Sequence, residues 1–268
     1  MRRGRTDRVL VTHYGAEGPR RQPDEVVVEE PLEIRLDGHL VATTMRTPGH
    51  DYELAVGFCA GDGLLGGAPV TGVRYCGQGS AAASEYNVVT VETAGRAPVP
   101  APRLGNVSSS CGVCGTSTLT DLSTRLAPLR AEAVFDVAAI GVVVDGVGER
   151  QEMFARTGGL HAAAVFDVAG VIEDVREDIG RHNAVDKVVG RRLLDGRTDA
   201  SRLGLYVSGR ASFEMVQKAW AAGFGTLVAV SAPSGLAVDA ARAAGMTLVG
   251  FARRGEMNLY SGRIGELR

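Results

Sequence analysis

The chain has 268 residues, 45% hydrophobic and 22% charged, with a formal net charge of −2. That length buries a sizeable core in one large domain or two modest ones, two being the expectation, and the composition excludes a mostly disordered chain. The near-neutral charge makes no case for nucleic-acid binding.

Four cysteines (Cys59, Cys76, Cys111, Cys114) are too few for a disulfide-dense secreted scaffold, and no apolar signal segment follows the basic start Met1-Arg2-Arg3-Gly4-Arg5. No apolar run approaches the roughly 20 residues that span a bilayer. The expectation is a cytoplasmic chain with reduced thiols and no membrane partner. Every basic residue except Lys187 and Lys218 is an arginine, which weakens any single arginine as a functional clue.

Residues 1–22 carry many arginines with Gly15, Gly18 and Pro19 and little apolar periodicity, which predicts a solvated terminal arm or an edge strand. Residues 23–132 read as a β-rich domain. Val26-Val27-Val28 and the alternating run 32–36 lead through the Asp37-Gly38 turn into a strand at 39–42, a hairpin. Thr47-Pro48-Gly49-His50-Asp51 opens a helix that ends at Gly61, and strands follow at 70–75 and 87–92. Pro98, Pro100 and Pro102 lead into Ser109-Ser110-Cys111-Gly112-Val113-Cys114-Gly115. A helix over 116–126 then stops before Pro128, with its N-terminus close to Cys114.

Residues 133–268 form the second expected domain. After the apolar run 141–147, residues 157–166 look like a capped helix start running into a strand, and 171–175 continues the sheet. Helices at 181–194, 212–222 and 236–244 alternate with strands at 203–207, 226–230 and 247–251, which predicts a parallel or mixed sheet covered by helices. Ligands of such sheets collect at the carboxyl ends of the strands. Here those ends are Ser208-Gly209-Arg210, Ser231-Ala232-Pro233-Ser234-Gly235 and Phe251-Ala252-Arg253-Arg254-Gly255. Their composition suits anions, with N–H groups expected from Ser208-Gly209 and Ser234-Gly235.

A Cys-x-x-Cys pair serves as half a zinc site, a redox pair, a cluster ligand pair or a sulfur-carrying nucleophile. Structural zinc needs four ligands, and only one close pair exists; Cys59 falls on an apolar helical face where a small thiol packs well. A thioredoxin-type pair sits at a strand-to-helix junction of a βαβ unit, whereas this one follows a proline- and serine-rich stretch. A sulfur carrier needs an accessible, low-pKa thiolate on a segment able to visit two partners, and the following helix N-terminus favours that thiolate.

Two further motifs stay open on the residues alone. Gly159-Leu160-His161-Ala162-Ala163 is similar to the H-x-E start of zinc deaminases, but Ala163 stands where the catalytic glutamate belongs and no Pro-Cys-x-x-Cys follows. Deaminase chemistry is thereby excluded and a deaminase-like fold is not; His161 alone reads as structural. In Glu177-Asp178-Ile179-Gly180-Arg181-His182-Asn183-Ala184-Val185-Asp186-Lys187, a solvated, capped helix start explains the acids, while Arg181-His182-Asn183 equally suits contact with a phosphate or a polar ring.

Taken together, Thr47-Pro48-Gly49-His50-Asp51, the Cys111–Cys114 segment, Asp178 through Lys187, Ser208-Gly209-Arg210 and Gly250-Phe251-Ala252-Arg253 resemble the FdhD family, the formate dehydrogenase accessory sulfurtransferases, over about residues 25 to 260. The resemblance implies an α/β (α+β overall) chain with a cytidine-deaminase-like three-layer C-terminal domain. It also implies a sulfur carrier that accepts sulfane sulfur from a cysteine desulfurase and passes it to the bis-molybdopterin guanine dinucleotide molybdenum cofactor before that cofactor enters formate dehydrogenase. Cys111 matches the persulfide-forming position, with Cys114 assisting or resolving. Phe251, Ala252, Arg253, Arg254, Gly255 and Glu256 match the cofactor-binding segment, although Glu256 stands where relatives often carry a base. Ser208, Gly209, Arg210 and His182 complete the expected cofactor-binding set. No permanently bound cofactor or metal is expected, and a homodimer is admitted. The rival is a non-catalytic cofactor chaperone or scaffold whose Cys-x-x-Cys is structural or binds zinc.

Overall fold

The computed structural model describes residues 4–76, 81, 85–100, 119–129 and 132–265. At the N-terminus, β1 (Thr6–Gly15) and β2 (Gly18–Val27) pair antiparallel from Thr6↔Val27 to Gly15↔Gly18. The stretch expected to be a solvated arm or an edge strand is therefore a long hairpin of two exposed strands, and β2 runs on past residue 22. Both of its faces are largely exposed, so the sequence carries no apolar alternation there. Its base is anchored by Val28 N–H donating to Arg5 C=O at 3.0 Å and by Arg156 paired with Glu25.

A four-stranded sheet follows in the order β4-β3-β6-β5, from β3 (Glu30–Leu36), β4 (His39–Arg46), β5 (Gly72–Tyr75) and β6 (Val88–Glu92). Asp37 and Gly38 take φ of 46° and 88°, the left-handed pair that a two-residue hairpin turn needs. Leu32, Ile34, Leu36, Val89 and Val91 bury one face of this sheet against Leu54, Val56 and Phe58 of α1 (Asp51–Gly61).

The second sheet has six strands in the order β12-β11-β10-β9-β7-β8, comprising β7 (His161–Phe166), β8 (Ile172–Asp178), β9 (Gly204–Val207), β10 (Thr226–Ala229), β11 (Thr247–Arg253) and β12 (Glu256–Ser261). β9, β10 and β11 run parallel, while β7 is antiparallel to both β8 and β9. Alternation along β7 builds both faces. Ala163 and Val165 join the core under α5 (Arg181–Leu194), α6 (Phe213–Ala221) and α7 (Gly235–Ala244). Ala162, Ala164 and Phe166 join a separate core under α3 (Val137–Glu149). The result is a mixed α/β chain in which helices cover a mixed sheet on both sides.

The apolar run 141–147, to which no element was assigned, lies inside α3, where glycines at 141 and 146 interrupt the helical pattern without breaking the helix. Two local expectations change. The Thr157-Gly158 stretch ends α4 (Glu152–Thr157), with Gly158 at φ 66°, where a helix start was expected. Residues 119–129, read with the β-rich unit, pack on the helices of the second sheet: α2 (Leu119–Arg125) buries Leu122 in their core, and Trp220 Nε1–H donates to Ala127 C=O at 2.8 Å. No helix among the described residues is long and apolar enough to cross a membrane.

Candidate functional site at the carboxyl edge of the six-stranded sheet

The strand directions gather one set of termini on one edge. β8, β9, β10 and β11 all end there and β7 begins there, as the pairs His161↔Asp178 and Ala163↔Val207 require. Hydrogen bonds lace these ends together. Ser231 N–H donates to Gly209 C=O, Ser234 N–H to Ala211 C=O and Phe251 N–H to Ser231 C=O, at 3.0–3.3 Å. Ser208 is tied at both atoms: its N–H donates to Ala162 C=O at 2.9 Å and its Oγ accepts from Ala162 N–H at 2.8 Å. The N–H groups of Ser208 and Ser234, expected to bind anions, are therefore used within the protein.

The segment 251–256 is the tip of a hairpin. Arg253 pairs with Glu256 across Arg254 and Gly255, whose φ values of 51° and 75° make the turn. Arg253, Arg254 and Glu256 are exposed and Phe251 is 36% exposed, but the Ala252 side chain is buried in the α3-side core, which leaves only its backbone for a ligand. Gly250 is required, since a Cβ there would sit 2.9 Å from Tyr260 and 3.0 Å from Pro233.

Arg181 and His182, in the first turn of α5, complete the edge. A Cβ at Gly209 would lie 3.5 Å from His161 Nδ1 and 3.8 Å from Arg181 Cδ, so bare backbone meets both side chains. Arg181 Nε and Ser212 Oγ are buried without a hydrogen-bond partner among the described residues. His182 Nε2 lies 2.6 Å from Glu214 Oε2. Burial, and then the charges of Arg181 and His182, push the His161 imidazole below its ordinary pKa, which keeps it neutral.

The rest of the same motif faces inward. Asp178 accepts from Thr47 N–H at 3.1 Å, Gly180 N–H at 2.8 Å and Asn183 Nδ2 at 2.9 Å, and pairs with Lys187 at 2.7 Å, both side chains fully buried. Lys187 also donates to Thr47 C=O at 2.9 Å, and Asn183 to Met45 C=O at 2.8 Å. Asp186 pairs with Lys218 at 2.7 Å. Asp51 takes a bidentate grip from Arg46 at 3.0–3.1 Å and a bond from Tyr75 OH at 3.1 Å.

Four of the five singled-out motifs thus form two clusters: Thr47 through Asp51 against the inward face of the α5 motif, and Ser208-Gly209-Arg210 beside the α5 N-terminus, linked through Ser231 to Gly250 through Arg253. The fifth, Cys111 and Cys114, lies outside the described residues.

The model of the FdhD/NarQ family matches residues 27–264. The chain belongs to the FdhD/NarQ family. It is 48% identical over 253 residues to the sulfur carrier protein FdhD of Streptomyces avermitilis, covering 90% of this chain and 88% of that protein. It is also 48% identical over 261 residues to the protein of the same name from Mycobacterium tuberculosis, covering 94% and 95%. A crystal structure described as that of a formate dehydrogenase accessory protein from Desulfotalea psychrophila superposes with a TM-score of 0.76 at 23% identity, covering 97% of this chain and 98% of that one, which shows a shared fold.

In this FdhD/NarQ chain, then, the sheet edge offers exposed guanidinium groups, a buried Arg181 Nε with no hydrogen-bond partner among the described residues, and a neutral imidazole. That set can neutralise and orient an anionic ligand. Sequence reasoning missed Glu214 and Ser212, which follow the β9 end. A signal was present: the first turn of a helix directly after a strand end is where side chains reach the ligand edge of an α/β sheet.

Proposed function

We propose that the chain is a cytoplasmic sulfur carrier that serves formate dehydrogenase by sulfurating its molybdenum cofactor. The observation that carries this is membership of the FdhD/NarQ family across 27–264, with near relatives named sulfur carrier proteins. The Cys111 thiolate attacks the terminal sulfur of a cysteine desulfurase persulfide. A Cys111 S–S bond forms, the donor's S–S bond breaks, and the donor leaves as a thiolate. Cys114 then attacks the inner sulfur of Cys111, giving a Cys111–Cys114 disulfide. The terminal sulfur departs at the sulfide level toward molybdenum, the two electrons coming from the cysteine pair, and a dithiol reductant resets the chain.

The substrate is a bis-molybdopterin guanine dinucleotide complex, held at the sheet edge. Arg181, Arg210, Arg253 and Arg254 would neutralise its pyrophosphates, with Phe251, Gly209, Gly255 and His182 against its organic parts. The residues present suit such a ligand: the edge is cationic, glycine-bare at Gly209 and laced into one rigid surface.

Incubation of the reduced protein with desulfurase and labelled cysteine, followed by intact-mass and peptide mapping, tests the first step. One added sulfur at Cys111 is expected, retained in Cys114→Ala. Equal labelling of Cys111→Ala overturns it. Stoichiometric zinc released by a thiol-modifying reagent would point instead to the structural scaffold.

A further inference from the structure

A carboxylate, Glu214, stands beside Arg181 and His182 at the α5 end of the sheet edge. Arg181, Arg210, Arg253 and Arg254 suit an anionic ligand, and Glu214 repels that same anion. It is nonetheless ionised: the hydrogen bond to His182 holds its carboxyl below the ordinary range, against burial, and the charges of His182, Arg181 and Lys218 act the same way. His182 is itself buried, and its Nε2 lies 2.6 Å from Oε2. Oε1 takes no partner among the described residues, and the side chain keeps 20% of its surface exposed. A charged acceptor, fixed by a buried imidazole and open at its second oxygen, matches a ligand that joins phosphate to neighbouring N–H donors.

Resting on the nucleotide proposed for this edge, we propose that Glu214 reads the base, its carboxylate accepting from N1–H and the 2-amino group of guanine, and that His182 is the residue that positions it. Adenine presents a lone pair at N1 and has no 2-amino group, so it sets acceptor against acceptor. A site built to bond a donor rejects the analogue that lacks it.

Calorimetric titration of the full-length reduced protein with GDP, IDP, ADP and inorganic pyrophosphate tests this. Wild type is expected to bind GDP at least about tenfold tighter than ADP, with IDP between them. Glu214→Ala is expected to lower GDP affinity by about 10- to 100-fold while leaving pyrophosphate affinity unchanged or raised. His182→Ala narrows the GDP/ADP ratio as well, and His182→Gln, which keeps a donor toward Glu214, restores part of it. Thermal melts confirm folding. Should Glu214→Ala not fold, Glu214→Gln, which exchanges an acceptor for a donor, must shift the ratio toward ADP.

An unchanged GDP/ADP ratio in the Glu214 variants, or no preference in wild type, overturns the role of Glu214 while leaving the edge a phosphate site. Failure of wild type to bind any of the four probes overturns the nucleotide site itself, and the base reader with it.

Discussion

Both lysines of the chain are interior. Lys187 is fully buried against Asp178, and Lys218 is bonded to Asp186 with 8% of its side chain exposed. Burial pushes the Lys187 ammonium below its ordinary pKa, against the pull of Asp178, and raises the Asp186 carboxyl to about 6. Removing one partner of such a pair strands a desolvated charge. Lys187→Met is therefore expected to destabilise the fold by about 3–5 kcal/mol in urea denaturation. Lys187→Met/Asp178→Asn should cost less than the sum of the two single changes. A loss within about 1 kcal/mol for Lys187→Met would show that the pair does not anchor Thr47. The same residues explain how the motif from Glu177 to Lys187 read in the sequence. Neither reading holds for the whole motif: Asp178, taken as part of a solvated helix start, is fully buried, Asn183, taken for ligand contact, bonds Asp178 and Met45 C=O, and Arg181 and His182 lie at the sheet edge. One-dimensional spacing does not reveal that division, because the side chains diverge only once α5 is laid between α1 and the sheet edge.

Helices α1 and α5 meet backbone to backbone. A methyl group at Gly57 would overlap the Asp186 carbonyl, and one at Gly190 the Glu53 carbonyl. Neither Gly57→Ala nor Gly190→Ala has room for its methyl, so each is expected to cost about 3 kcal/mol or more and to lower the melting temperature, although alanine is the better helix former. A neutral or stabilising effect would contradict this close packing. From β8, Arg176 bonds Glu53 of α1 at 2.5 and 2.9 Å. Burial raises the Glu53 carboxyl, but the bonds from Arg176 and His50 outweigh it and hold it at about 2, below its usual 4.5. A lowered carboxylate stabilises the fold above its unfolded value. Stability from Glu53 is thus present above about pH 4.5 and lost as pH falls toward 2. The melting temperature of Glu53→Gln should consequently fall less than that of wild type across this window; parallel curves would remove Glu53 as a cause.

Elements with a strong period were legible in the sequence: α5 matches its expected range, and β9, β10 and α7 differ only by a residue at an end. The β1–β2 hairpin and β12 were not, because exposed strands carry little apolar alternation, and α3 was obscured by glycine among its valines.

Viewed as one molecule, α5 is shared. Its body ties the four-stranded sheet through Thr47 and α1, and its first turn supplies Arg181 and His182 to the edge of the other sheet. The mixed sheet and the gathering of strand ends followed from alternating helices and strands. Glu214 and the lacing of Ser208 and Ser234 did not, since they depend on which strands lie side by side.

In the proposed function, Cys111 takes up sulfur and the sheet edge holds its acceptor. The most direct test measures sulfur loading at Cys111 and molybdenum-cofactor binding on the same purified samples of wild type, Cys111→Ala and Arg253→Ala/Arg254→Ala. Loading should vanish only in Cys111→Ala, and cofactor binding should weaken by about tenfold or more only in the arginine variant. Undiminished sulfur loading of Cys111→Ala, or undiminished cofactor binding by the arginine variant, would contradict it.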